Sequence, residues 1–337
     1  MNLRRLLILV GGLSAASAVA MSTPALAAVT SSVGFSTDSG STSSNYGQYR
    51  LVLQNSWFFN ILQQTKAAGS IPIVYKDLTS VRVDDGAVNG NMSYPGAKVF
   101  NVVNNRIVLN GVKDSYNTAT GVGFAWAWQN HPAWFLTYSG KTATHNTPYS
   151  DLVRENGFST QFMMDWGNPA YQQKWAADVI ANAKARGYHY VFADNALDYA
   201  KTYLSAALPR YATNAAVQSA TVSAMKYITK TLNAAGIKII YNVGYTSMFD
   251  HSNSDSLYAR WLPYTNGICN EFGTTYQGYP GDVAFQKSET LRLGKVSMFG
   301  NSNGVEPTFE IVGSPSLCVT KMTDCRSLSL RGRFQAT

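Results

Sequence analysis

Asn168-Pro169-Ala170-Tyr171 opens, and Gly187-Tyr188-His189-Tyr190-Val191-Phe192-Ala193-Asp194-Asn195 closes, the stretch on which the fold turns. Asn168 is a good helix N-cap, and Pro169 suits the first helical position, where a missing N–H is not needed. Tyr171, Trp175 and Val179 follow at spacing four, on one helix face. Gly187 suits the left-handed turn that ends a helix. A short apolar run then leads to Asp194. The unit is helix, glycine, strand, polar residue. It recurs at once: Val222, Met225, Ile228 and Leu232 mark a helix, Gly236 closes it, and residues 237–241 run to Asn242.

Working outward, the same pattern of an apolar run ending in a polar residue appears along the chain. Residues 51–53 end at Asn55, 71–75 at Asp77, 158–164 at Asp165, 188–193 at Asp194, 237–241 at Asn242, 267–270 at Glu271 and 295–299 at Asn301. Apolar runs alternating with helices imply βα units around a parallel sheet. Periodicity alone does not separate a closed barrel from a doubly wound open sheet. The polar residues favour a (β/α)8 TIM barrel, because strand C-terminal ends then form one rim, where barrel enzymes hold their sites. The expected organisation is a signal peptide at 1–27, a Ser/Thr/Gly-rich lead-in at 28–48, a catalytic barrel at 49–303 with a long insertion at 79–157, and an atypical tail at 304–337. The insertion is expected to lie over the rim as a partial lid. After Asn303 the chain does not read as a seventh helix followed by an eighth βα unit, so the eighth unit is expected to be incomplete or aberrant, with the natural C-terminal end missing.

The chain has 337 residues, with 14% charged, 12% aromatic and a formal net charge of +8. That charge would suggest an anionic partner, but it is unevenly distributed. Residues 1–27 carry Arg4 and Arg5 without an acid, and residues 311–337 carry Lys321, Arg326, Arg331 and Arg333 against Asp324. The body between them is close to balanced, so no nucleic-acid partner is expected. Arg4-Arg5, the apolar run 6–19 and Ala25-Leu26-Ala27 have the three parts of a secretory signal, with cleavage after Ala27. The product would be secreted or periplasmic, without membrane attachment. No later apolar run approaches the ~20 residues that span a bilayer. Of three cysteines, Cys318 and Cys325 could pair, and Cys269 reads as a buried thiol. His131, His145, His189 and His251 have no metal-ligand spacing, and no zincin, nucleophile-elbow or phosphate-loop motif occurs. Neither a metal nor a cofactor is expected.

Acids at the ends of different strands of one barrel suit work on a glycosidic bond. Asp194 is the sharpest candidate, and Glu271, in Cys269-Asn270-Glu271-Phe272-Gly273, is the second. Each could instead be a cap or turn former. Asp165 fits either a sugar hydroxyl contact or the start of the helix at Pro169. Asp77, after Lys76, fits either an ion pair or a substrate contact. Residues 126–135 hold Trp126, Trp128, His131 and Trp134, and flat aromatic faces suit sugar rings. Trp126 and Trp128, two apart, are expected to share one face of a strand, toward either the cleft or the core. Trp166, Asn195 and Asn242 complete the expected substrate-binding set.

Met164-Asp165-Trp166-Gly167-Asn168-Pro169-Ala170-Tyr171, with Trp175 and then Tyr190-Val191-Phe192-Ala193-Asp194-Asn195, resembles a group of bacterial TIM-barrel glycoside hydrolases. These are distantly similar to endo-α-1,4-polygalactosaminidases and, more remotely, to α-galactosidases. Tyr75-Lys76-Asp77, His131-Pro132-Ala133-Trp134-Phe135-Leu136 and Asn270-Glu271-Phe272 also resemble that group. The resemblance covers roughly residues 50–300. It implies a barrel glycosidase acting on a poly- or oligosaccharide, at an α-linkage. In the α-galactosidase-like relatives the nucleophile ends strand four and the acid/base ends strand six, which implies Asp194 as nucleophile and Glu271 as general acid/base; retention is favoured, with inversion expected if the two carboxyls stand about 6.5–9.5 Å apart. A non-catalytic carbohydrate-binding or cell-surface module on a decayed barrel is the alternative.

Overall fold

The computed structural model describes residues 32–35, 49–55, 59–83, 99–111, 121–155, 158–201, 204, 206–243, 260–270, 293, 295–301 and 308–312. The expected signal peptide, Cys318, Cys325 and Glu271 lie outside the described residues.

One sheet of eight strands organises the chain. In sheet order it runs β1 (Ser32–Phe35), β2 (Tyr49–Asn55), β3 (Ile71–Asp77), β9 (Tyr190–Asp194), β10 (Lys238–Asn242), β11 (Gly267–Asn270), β12 (Val296–Asn301) and β13 (Thr308–Val312). All neighbours pair in parallel except β12 and β13, which pair antiparallel. The strand carrying Asp194 is thus fourth in the order and β11 is sixth. Two strands were not read from the sequence. β1 lies within the Ser/Thr/Gly-rich lead-in, and β13 lies in the tail.

The segment between β3 and β9 builds separate structure. β4 (Ser80–Arg82), β8 (Phe158–Met163) and β7 (Arg154–Glu155) form a three-stranded antiparallel sheet, and β5 (Phe100–Val103) pairs with β6 (Arg106–Leu109) as a hairpin. This corrects one expectation. Residues 158–164 were expected to be a strand of the main sheet, but β8 pairs antiparallel with β4 and β7, and β3 pairs directly with β9. An apolar run bounded by polar residues fits either kind of buried strand, so periodicity could not tell them apart.

The helices follow from their caps. The Asn168 side chain accepts the Ala170 N–H at 2.9 Å and starts α3 (Pro169–Arg186), which Gly187 ends at φ +69°. α4 (Asn214–Ala234) buries Met225, Ile228 and Leu232 and is followed by Gly236 at φ +77°. α1 (Phe59–Ala67) joins β2 to β3. Residues 124–130 form α2 (Phe124–Asn130), not the strand expected from Trp126 and Trp128. On a helix, spacing two sets side chains about 200° apart; Trp128 is accordingly buried and Trp126 half-buried.

Strand alternation divides the apolar side chains into two clusters. Val74, Val191, Ala193, Ile239, Tyr241 and Ile268 belong to the large cluster that includes residues of α3 and α4. Leu53, Ile73, Phe192, Ile240, Cys269 and Val296 form a smaller cluster of their own, with Tyr75 packed against it. They come from six adjacent strands and define the sheet face away from α3 and α4. By the same alternation Tyr75, Asp77, Asp194 and Asn242 belong to that face, at its C-terminal edge.

Candidate active site

Two carboxylates meet where β3 and β9 end. Asp77 and Asp194 are partners in the β3–β9 register, and the Leu78 N–H donates to the Asp194 carbonyl at 3.1 Å. Both follow apolar runs whose inner residues are packed, so the strands set both side chains firmly.

Asp77 is fully buried and well supplied with donors. Oδ1 accepts the N–H groups of Thr79 and Ser80, each at 2.9 Å, and Oδ2 accepts the Ser80 hydroxyl at 2.7 Å and Asn195 Nδ2 at 2.9 Å. Burial first, and the neighbouring Asp194 second, push its carboxyl up to about 6, against the pull of the Ser80 and Thr79 hydrogen bonds. α3 supports this turn from outside. Trp175 Nε1 donates to the Asp77 carbonyl at 2.8 Å, and the Tyr171 hydroxyl donates to the Leu78 carbonyl at 3.0 Å.

Asp194 is only half-buried. Oδ2 accepts the Tyr75 hydroxyl at 2.7 Å, and Oδ1 accepts the Asn195 N–H at 2.9 Å and Asn242 Nδ2 at 2.8 Å. Asn195 sits at φ +59°, a left-handed conformation that asparagine tolerates better than most residues. That turn lets one residue serve both acids, its N–H bound to Asp194 and its side chain to Asp77. Burial, and then Asp194, raise the Tyr75 phenol well above its ordinary range, so it remains a donor.

A third acid completes the cluster. Glu155 on β7 is 3% exposed, and its Oε1 has no hydrogen-bond partner among the described residues. Burial, then the charges of Asp77 and Asp194, push its carboxyl well above the ordinary range, with Arg82 pulling the other way. Sequence reasoning missed Glu155, which lies in an insertion with no motif around it. It also gave Tyr75 no role, although Tyr75 stands two residues before Asp77 on one strand face, a spacing that could have found it.

Asp77, Asp194, Asn195 and Asn242 are therefore brought together as one hydrogen-bonded set; Glu271 lies outside the described residues, and the other expected residues make their contacts elsewhere. Asp165 accepts the Tyr211 hydroxyl and pairs with Arg210 at 3.0 Å. Tyr211 also accepts the Gly167 N–H at 3.0 Å and stacks on Trp166, whose Nε1 donates to Thr221 at 3.1 Å. These contacts lock the start of α3 to α4. Trp128 and Trp134 are buried; Trp128 meets Phe135 edge-on, and Trp134 stacks on exposed His131 with ring centres 4.0 Å apart. Trp126 lies against His131, with Lys174 Nζ 4.0 Å from its ring centre. No group of three or more His, Cys, Asp or Glu side chains suited to a metal ion occurs among the described residues.

A sequence model described as hypothetical glycosyl hydrolase family 15 matches residues 110–294, more than half of the chain. The chain belongs to that family. The family 15 match spans β8, α3, β9, α4, β10 and β11, and so contains Asp194, Asn195, Asn242, Glu155 and Glu271. No curated protein matches the chain. Solved structures similar to this family 15 chain include the glycoside hydrolase domain of PelA from Pseudomonas aeruginosa, at 12% identity over 72% of this chain and 66% of that one, with a TM-score of 0.37. Ega3 from Aspergillus fumigatus, in complex with galactosamine, is 10% identical over 80% of this chain and 74% of that one, with a TM-score of 0.42. A GH36 α-galactosidase, AgaA from Geobacillus stearothermophilus, is 13% identical over 62% of this chain and 21% of that one, with a TM-score of 0.31. The chain thus spans just under two thirds of the PelA domain and about a fifth of AgaA.

Proposed function

We propose that this chain is an exported glycoside hydrolase that cleaves an O-glycosidic bond in a poly- or oligosaccharide, with Asp194 as nucleophile and Glu271 as general acid/base. The observation that carries the reading is Asp194 itself. It is half-buried at the C-terminal end of an inner strand, with donors on both oxygens and a fully buried second acid beside it. Family membership supports the reaction class. Glu271 directly follows β11 in the sequence, two residues after Cys269 of the inner cluster.

We also infer that the eight-stranded sheet closes as a (β/α)8-type barrel occupying 49–303 together with β1 and β13. The proximity of β1 to β13, the two ends of the sheet order, supports closure.

In the proposed reaction an Asp194 oxygen attacks the anomeric carbon while Glu271 gives its proton to the departing glycosidic oxygen. Water, losing its proton to Glu271, then displaces Asp194 with overall retention. Asn242 and the Asn195 N–H hold Asp194 Oδ1, and Tyr75 holds Oδ2, so the nucleophile is oriented before substrate arrives. Asp77 anchors Asn195.

The test is reducing-sugar release from a polysaccharide panel. Asp194→Asn and Glu271→Gln are each expected to lose at least about 10³-fold in kcat. Product anomer analysis by NMR would show retention. Equal turnover by all three proteins would refute the assignment, and glycan binding without turnover by the wild type would favour a non-catalytic module.

A further inference from the structure

Glu155 stands outside the proposed chemistry, yet it is buried against it. It lies on β7, which pairs with β8, and β8 pairs with β4, the strand that starts three residues after Asp77. The small antiparallel sheet thus brings an acid from the insertion to the end of β3. The charged groups that act on it electrostatically are Asp77 on β3, Asp194 on β9 and Arg82 on β4.

These acids are unequally supplied. Asp77 accepts four hydrogen bonds and Asp194 three. Glu155 Oε1 has no partner among the described residues. Three buried or half-buried carboxyls beside one arginine cannot all ionise cheaply, and a shared proton settles where ionisation is least supported. We propose that Glu155 is a positioning residue of this site that works as a neutral carboxylic acid, sparing the Asp77–Asp194 pair a third negative charge. This role rests on the function proposed above, with Asp194 as the reacting group. Loss of the Glu155 proton as pH rises then disables the site, so Glu155 sets its alkaline limit.

Two measurements on the full chain test this. The first does not depend on activity. If Glu155 is neutral in the fold, Glu155→Gln gains stability over wild type as pH rises above 4.5, the ordinary value for a glutamate. The difference in melting temperature should grow with pH and then level off. A difference that is the same at every pH overturns the proposal. The second is the pH profile of kcat/KM. Wild type should fall about tenfold per pH unit above its alkaline midpoint. Glu155→Gln should move that midpoint up by at least about one pH unit. A uniform loss of activity at all pH values overturns the positioning role. If wild type releases sugar from no substrate, the hydrolase reading fails, while the melting comparison still decides the protonation of Glu155. Should Glu155→Gln not fold, infrared titration of the glutamate-labelled Glu271→Gln protein replaces it. A protonated-glutamate band persisting at neutral pH supports the proposal, and its absence overturns it.

Discussion

At the scale of single residues, Asp77 couples the site to folding. Its carboxyl is held at about 6 in the fold, against an ordinary 3.8. Between those values the native state keeps a proton that the unfolded chain has released. Stability should therefore fall as pH rises from about 4 to 6 and change no further from this source, by up to ~3 kcal/mol. Asp77→Asn should lose that part of the slope. It should also be less stable at pH 7, because an amide nitrogen would face the donors of Ser80 and Asn195. Urea unfolding from pH 4 to 7 measures both effects. The sequence made Asp77, Asp194, Asn195 and Asn242 legible for one reason: each ends or follows a strand, where a polar residue after an apolar run stands out. Glu155 was not legible because its burial depends on a pairing between β7 and β8 inside a segment with no helical or strand period of its own.

At the scale of elements, α3 was the most readable part of the chain, since its cap, face and stop are local features. Asn168→Ala should cost ~1 kcal/mol of stability through loss of the cap, as read by thermal melting. Asp165 had two readings, and the structure places it with Tyr211 and Arg210, joining the start of α3 to the end of the connection before α4. Tyr211→Phe removes one of the two side-chain partners of Asp165 and leaves the Gly167 N–H without its acceptor. A loss of about 1–3 kcal/mol is expected, visible as a lower denaturant midpoint at unchanged m-value. α2 was misread because a Trp-x-Trp spacing suggests strand alternation, while the surrounding Phe124, Ala125 and Ala127 are packed from all sides of a helix. Binary patterns are weakest where an element is buried almost all round.

At the scale of the whole molecule, the parallel sheet was legible in its six middle strands, from β2 to β12, because each is an apolar run with a flanking helix or glycine. The outer strands were not. β1 is only four residues in a Ser-rich context, and β13 runs antiparallel to β12, so neither shows the sequence pattern of the repeated units. β13 covers the edge that β12 would otherwise present. A chain ending after Asn301 should therefore associate through that edge, while the 337-residue chain should not. Light scattering at matched concentration compares them. Gly267→Ala tests the packing of the neighbouring pair. The added Cβ would meet the Val296 backbone oxygen at 2.6 Å, so a loss of about 1–3 kcal/mol is expected.

Cys269 gives this interior a chemical clock. Its thiol is buried among Leu53, Ile73, Phe192, Ile240 and Val296, on the strand that leads to Glu271. An alkylating reagent reaches that sulfur only when the inner cluster parts. The rate of its modification, mapped by peptide mass against Cys318 and Cys325, would count the openings of the interior in native buffer, without denaturant and without knowing the substrate.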